Sequence, residues 1–188
     1  MNLVIFGPPG AGKGTQSKFI VERFNMYQLS TGEFLRNEMS KKTEVGEKIS
    51  SVINAGALVS DEIVSDLIEK IISNEKYQNR IIFDGYPRNL NQAKNLENLL
   101  KKYNQKIGIV LKLSVGLKTI KKRISERLDI EKRSDDNEKI AIKRYETYEK
   151  STEPVIEYYK KLNLLKVVDG EKTIDQINKE ISAIISLI

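Results

Sequence analysis

The residue types that could do chemistry concentrate first in Gly7-Pro8-Pro9-Gly10-Ala11-Gly12-Lys13-Gly14-Thr15, a glycine-rich run that carries a lysine near its end. An apolar run, Asn2–Phe6, precedes it. Gln16–Phe24 follows, with Phe19, Ile20 and Phe24 at helical spacing. A buried strand leading into a glycine turn and a helix N-terminus makes an anion site from backbone. Successive N–H groups converge on phosphate oxygens, the helix dipole adds partial positive charge, and Lys13 adds a full one. Glycine is needed there because a Cβ would keep the main chain from the phosphate. This is the chemistry of a nucleoside triphosphate site. Gly14, directly after Lys13, stands where most such loops carry the Ser or Thr hydroxyl that ligates Mg²⁺.

Arginine is the second signal. Of 32 basic residues only eight are Arg: Arg23, Arg36, Arg80, Arg88, Arg123, Arg127, Arg133 and Arg144. In a chain whose default cation is Lys, an Arg marks a candidate place for a planar, bidentate fork, the geometry that grips phosphate. Arg123 and Arg127 lie four apart, so one helix face presents both. Asp84 ends an apolar run and is followed by Gly85-Tyr86-Pro87-Arg88, a turn with an Arg on its far side.

These residues need elements to position them. Strands are expected at Asn2–Phe6, Tyr27–Ser30, Arg80–Asp84, Ile107–Leu113 and Leu165–Val168. Helices are expected over Gln16–Phe24, Gly32–Met39, Val45–Asn54, from Ser60 through Ile72, Leu90–Tyr103, Leu117–Leu128 and Ile174–Leu187. A long helix from Glu138 should bend near Pro154 and end by Leu162. Asp129–Asn137 is polar, charged and without apolar period, and reads as an exposed loop holding Arg133. Strands alternating with helices predict a doubly wound, five-stranded parallel α/β sheet of the P-loop NTP-hydrolase type. Ligands of such sheets bind beyond the C-terminal strand ends, where the glycine loop, Asp84 and the Gly85–Arg88 turn all fall. Three short helices between the second and third strands exceed what a crossover needs and suggest a lobe.

Composition sets the limits. At 188 residues the chain is one domain by size. With no Cys there is no disulfide and no thiolate zinc site; with no His there is no imidazole base and no phospho-histidine intermediate. No segment approaches the ~20 apolar residues of a membrane span, and the first apolar run is too short for a signal peptide. The formal charge is +6, yet acids interleave with bases throughout, so nucleic-acid binding is not expected.

The sequence closely resembles the adenylate kinases, among the nucleoside monophosphate kinases. Gly7–Thr15 is similar to that family's GxPGxGKGT loop, including the Gly after Lys. Leu29-Ser30-Thr31-Gly32-Glu33 resembles its LSTG[DE] segment and Asp84–Arg88 its DG[FY]PR segment, with Gln92 four residues on. Arg123-x-x-x-Arg127, Arg133–Asn137 and Arg144 are similar to its lid region, here in the short form without a zinc-binding insert. The resemblance implies a core of 1–29, 60–127 and 138–188, a helical NMP-binding lobe at 30–59 and a short lid at 128–137. It also implies reversible phosphoryl transfer from MgATP to AMP, giving two ADP.

By the same resemblance Gly10, Ala11, Gly12, Lys13, Gly14 and Thr15 hold ATP phosphates. Arg123 and Arg127 assist there, and Lys172 lies where a backbone carbonyl reads the ATP base. Thr31, Arg36, Ala57, Leu58, Val59, Gly85, Tyr86, Pro87, Arg88 and Gln92 bind AMP, with Arg133 and Arg144 closing over the polyphosphate. The catalytic cations are then Lys13, Arg88, Arg123, Arg133 and Arg144. Mg²⁺ is expected on ATP oxygens and waters, with Asp84 turned toward those waters, and no zinc is expected. The expected protein is a cytoplasmic monomer acting on ATP, AMP and ADP, with no nucleic acid or membrane partner. A UMP/CMP kinase is the alternative within the family; those enzymes usually carry Ala where this chain has Thr31. From another class, the alternative is a nucleic-acid-stimulated P-loop ATPase.

Overall fold

The computed structural model describes residues 1–131 and 138–188, with side chains placed except at 129–131 and 138. Of the expected lid, 128–137, residues 132–137 lie outside the described residues, Arg133 among them, while 129–131 continue a helix where an exposed loop was expected. Five parallel strands, β1 (Asn2–Phe6), β2 (Tyr27–Ser30), β3 (Ile81–Asp84), β4 (Ile107–Ser114) and β5 (Leu165–Asp169), form one sheet in the order β2-β3-β1-β4-β5. Every neighbouring pair is parallel. The doubly wound parallel sheet expected from the sequence is the one observed.

The sheet is buried on both faces because β1 sends apolar side chains to each. Val4 and Phe6 face one core with Phe83, Val110, Leu96 and Tyr159; Leu3 and Ile5 face another with Ile82, Leu111, Ile20 and Ile181. The second core is closed by α1 (Lys13–Phe24) and α9 (Ile174–Ser186). The first is closed by α4 (Asp61–Ile72), α5 (Leu90–Lys102) and α8 (Glu153–Lys161). Between β2 and α4, α2 (Thr31–Ser40) and α3 (Glu44–Asn54) pack on each other. Their starts are capped by side chains: Ser30 Oγ accepts from Glu33 N, and Thr43 Oγ1 from Gly46 N. The remaining helices are α6 (Leu117–Glu131) and α7 (Glu138–Thr147).

Two expectations shift. The first helix begins at Lys13 rather than Gln16, because Gly12 takes a left-handed conformation (φ 93°) and turns the chain directly into helix. The long C-terminal helix is bent by a π-helical turn, Tyr148–Thr152, between α7 and α8. Pro154 has no N–H to continue the α-helical ladder, and the wider turn absorbs the mismatch.

One polar residue lies fully inside the strand layer. Asn2 donates from Nδ2 to Gln105 Oε1 (3.0 Å) and Lys106 O (3.2 Å), and its Oδ1 accepts from Ile81 N (3.0 Å). It thus ties the start of β1 to β3 and to the entry of β4. Asn2→Ala would leave the Ile81 N–H buried and unpaired. It is expected to lower unfolding free energy by about 1–3 kcal/mol in urea titration, while nucleotide affinity, set at the opposite strand ends, stays at the wild-type value.

Candidate active site

Register builds the site. Ile5 pairs with Asp84, and Ser30 also pairs with Asp84. The C-terminal ends of β1, β2 and β3 therefore finish side by side, and the chain leaves β1 straight into the glycine loop. Ala11 N donates to Pro8 O (3.1 Å), closing the first turn of that loop. Gly12 needs its left-handed φ, and a Cβ built there meets nothing within 4 Å, so the backbone faces open space. No side chain caps α1. Its first-turn N–H groups therefore have no side-chain acceptor at the cap and face an anion site.

Lys13 folds back over the loop, its Nζ donating to Gly7 O (2.7 Å) and Pro8 O (3.1 Å). Desolvation lowers its pKa to about 8. Asp84 opposes the shift, while Arg88, Arg144 and Arg127 add to it. The loop opens on a cleft of about 930 Å³. Among the described residues its walls carry seven basic side chains, including Lys13, Arg36, Arg88, Arg123, Arg127 and Arg144, against the acids Glu33, Asp84 and Glu126. The arginines of the sequence reading thus arrive from α2, α6, α7 and the turn after β3. Such a cleft attracts a highly charged anion.

A narrower pocket adjoins it, lined by Thr31, Arg36, Ala57, Leu58, Val59, Gly85, Arg88, Gln92 and Arg144. Gly85 organises its floor. Its carbonyl accepts from Thr31 Oγ1 (3.0 Å) and from Arg88 Nε (2.7 Å). With φ at 82°, a Cβ on Gly85 would lie 2.9 Å from Thr31 Oγ1 and 3.1 Å from Arg88 Nη2. Only glycine fits between the hydroxyl and the guanidinium.

The side chains of three expected residues lie outside this pocket, although for Lys172 the expectation concerns only its backbone carbonyl. The Tyr86 ring is in the core, its hydroxyl donating to Gln92 O (3.2 Å), so it supports α5 from below and does not line the pocket. Pro87 lines a small cavity beside Lys13, Arg144 and Thr152 instead. The Lys172 ammonium pairs with Glu180 (2.8 Å) at the surface, away from the cleft. Next to it, Arg123 Nη2 donates to Gly170 O (2.9 Å), and Ile174 and Ile177 line the cleft.

The structure adds residues that no motif announced. Gln28, on β2, donates to Asp84 Oδ2 (2.9 Å), leaving Oδ1 with no hydrogen bond among the described residues. Thr152, on the π-helical turn, donates to Arg88 O (3.1 Å). Asp61 and Asn89 bond to the Gln92 side chain and to its helix start. Gln28 lies in a half-polar strand, Tyr27–Ser30, so its type carried no signal. Asp61 and Thr152 carried none.

As for a metal, no group of three His, Cys, Asp or Glu among the described residues could hold one. The Asp84 Oδ1, with Gly14 offering no hydroxyl, fits a Mg²⁺ that keeps most of its waters and takes its other ligands from phosphate.

Comparison with known proteins agrees with this geometry. The adenylate kinase family model matches residues 5–164. An adenylate kinase of Pelagibacter ubique is 45% identical over 213 aligned positions that cover all of both chains. One from a Caulobacter species (strain K31) is 40% identical over 188 positions, again covering both completely. One from Archaeoglobus fulgidus is 36% identical, with 100% of this chain and 99% of that protein covered. A nucleotide loop, a cation-lined cleft and full-length similarity thus converge, and the chain belongs to the adenylate kinase family.

Proposed function

We propose that this chain catalyses reversible phosphoryl transfer from MgATP to AMP, giving two ADP, by direct in-line attack. One observation carries the reading. The glycine loop and Lys13 share a single cleft with Arg36, Arg88, Arg123, Arg127 and Arg144, and a pocket bearing Thr31 and Gln92 opens beside it. An AMP phosphate oxygen is already anionic and needs no general base. It forms the new P–O bond to the γ-phosphorus as the bond to the β–γ bridging oxygen breaks, and ADP leaves. A chain without His or Cys has no phospho-histidine or thiol route, and this step needs neither.

The roles are those the family resemblance implies, Arg133 lying outside the described residues. Gly10–Thr15 hold the ATP phosphates, with Lys13 on the transferred group. Arg36 and Arg88 hold the AMP phosphate, and Thr31, Ala57, Leu58, Val59 and Gln92 surround its base. Arg123, Arg127 and Arg144, with Arg133 from the lid, neutralise charge on the migrating phosphoryl. Tyr86 acts from the core by shaping the Gly85–Arg88 turn, and Lys172 through its backbone beside Ile174. Mg²⁺, when bound, would be oriented through water by Asp84 and would offset phosphate charge. Closure of the 30–59 lobe over the cleft would keep water from the γ-phosphate. The reading also makes the protein a cytoplasmic monomer. Among the described residues no helix is long and apolar enough to cross a membrane.

Three measurements follow. ATP-dependent phosphorylation of AMP, CMP, UMP and GMP, assayed in parallel, should show AMP as the best acceptor; faster turnover of CMP or UMP would assign a pyrimidine kinase. Arg88→Lys keeps the charge and loses the fork. It should weaken AMP binding by about 1–3 kcal/mol with the melting temperature nearly unchanged, whereas a large drop in melting would make Arg88 structural. The third concerns Lys13. A lysine whose pKa is about 8 in the free protein is re-protonated when a polyphosphate becomes its neighbour. ATP binding should take up a proton near pH 8–9, and affinity should fall as pH rises through about 8. Calorimetry in buffers of different ionisation enthalpy reads the uptake, which Lys13→Gln should abolish.

A further inference from the structure

Gln92 occupies the first turn of α5, and its side-chain amide is committed at both ends. Oε1 accepts from Arg88 N (2.7 Å), and Nε2 donates to Asp61 Oδ1 (2.7 Å). Asn89, the N-cap of the same helix, explains why Asp61 is there. Its Oδ1 accepts from Gln92 N (2.8 Å), which turns its Nδ2 toward Asp61 Oδ1 (3.0 Å) and Oδ2 (3.3 Å). A carboxylate can only accept and a backbone N–H can only donate. The two partners therefore impose the same orientation on the Gln92 amide. Turned over, the amide would set oxygen against carboxylate and NH₂ against N–H.

An amide has two N–H groups and two acceptor lone pairs. Among the described residues one of each is used, and Gln92 lines the pocket beside Thr31 and Gly85. What Gln92 can offer a ligand is one donor and one acceptor, in an order it cannot reverse. A freely turning glutamine would serve either order equally.

We propose that Asp61, anchored by Asn89, is a positioning residue for base selection. By locking the Gln92 amide it makes the pocket take a 6-aminopurine monophosphate and reject a 6-oxopurine one. The proposal rests on the reading that this pocket receives AMP. The two bases have the same ring size and inverse patterns. In AMP position 6 donates and ring nitrogen 1 accepts; in IMP position 6 accepts and nitrogen 1 donates. A locked amide facing the wrong pattern leaves two buried polar groups unpaired, and this discriminates far better than shape can. Without Asp61 only the Arg88 N–H fixes the amide, and the reversed orientation becomes accessible.

The test is kcat/KM for AMP and for IMP, with ATP as donor, in the wild type and in variants at position 61. Asp61→Ala should lower the AMP-to-IMP ratio roughly tenfold, the scale of one charge-assisted hydrogen bond, through KM for the acceptor, while KM for ATP stays put. Asp61→Ser, which keeps a hydroxyl in the first turn of α4 but is too short to reach Gln92, should show the same loss if the Ala variant does not fold. Asp61→Asn still places an acceptor oxygen where Asn89 and Gln92 both point their N–H groups, and should restore most of the ratio. Direct AMP and IMP titration of each variant, without ATP, should show the same change. The proposal is overturned if Asp61→Ala and Asp61→Ser depress AMP and IMP equally, or if Asp61→Asn loses as much selectivity as they do. A wild-type protein that ignores AMP would overturn the functional reading itself.

Discussion

Crowding of positive charge around one cleft is the constraint on which the rest of the structure depends. Lys13, Arg36, Arg88, Arg123, Arg127 and Arg144 line the same space, brought there by the glycine loop, α2, the turn after β3, α6 and α7. Like charges so placed oppose one another, and the lowered pKa of Lys13 records both its desolvation and the guanidiniums around it. The way these cations are held matters. Lys13 donates to the carbonyls of Gly7 and Pro8, Arg88 to that of Gly85, and Arg123 to that of Gly170. A carbonyl holds a cation in place without adding a full negative charge of its own. The cleft therefore stays preorganised for a polyphosphate, which relieves the repulsion when it binds.

The sheet exists to bring those carbonyls and cations to one edge. Parallel pairing of β1 with β3 and of β3 with β2 ends three strands together, and the two-sided core keeps them rigid. Asn2 secures the other end of the same strands. Elements that only connect in a smaller α/β protein here deliver function: α2 brings Arg36, and the π-helical turn sends Thr152 to the carbonyl of Arg88.

Much of this was legible in the sequence because its causes are local. The apolar runs Asn2–Phe6 and Ile107–Leu113 pointed to strands of a parallel sheet, and the glycine run to the anion loop. The scarcity of Arg in a Lys-rich chain singled out the cations that line the cleft. Long-range pairings were not legible. Nothing near Gln28 says that it bonds to Asp84, and nothing near Asp61 says that it meets Gln92, 31 residues away. Tyr86 was assigned to the ligand from its motif, whereas a tyrosine with a hydrogen-bond partner at its tip is also well suited to a core, and there it packs. The bend after α7 was foreseen from Pro154, but not its π-helical form, nor that it carries Thr152 to the carbonyl of Arg88.

The claim that a preorganised set of cations suffices, with no covalent relay, is tested most directly by the stereochemical course at phosphorus. ATP made chiral at the γ-phosphorus with three oxygen isotopes should give ADP with inverted configuration at the transferred group, the outcome of one in-line displacement. Retention would require two displacements through a phosphorylated side chain, and would contradict it.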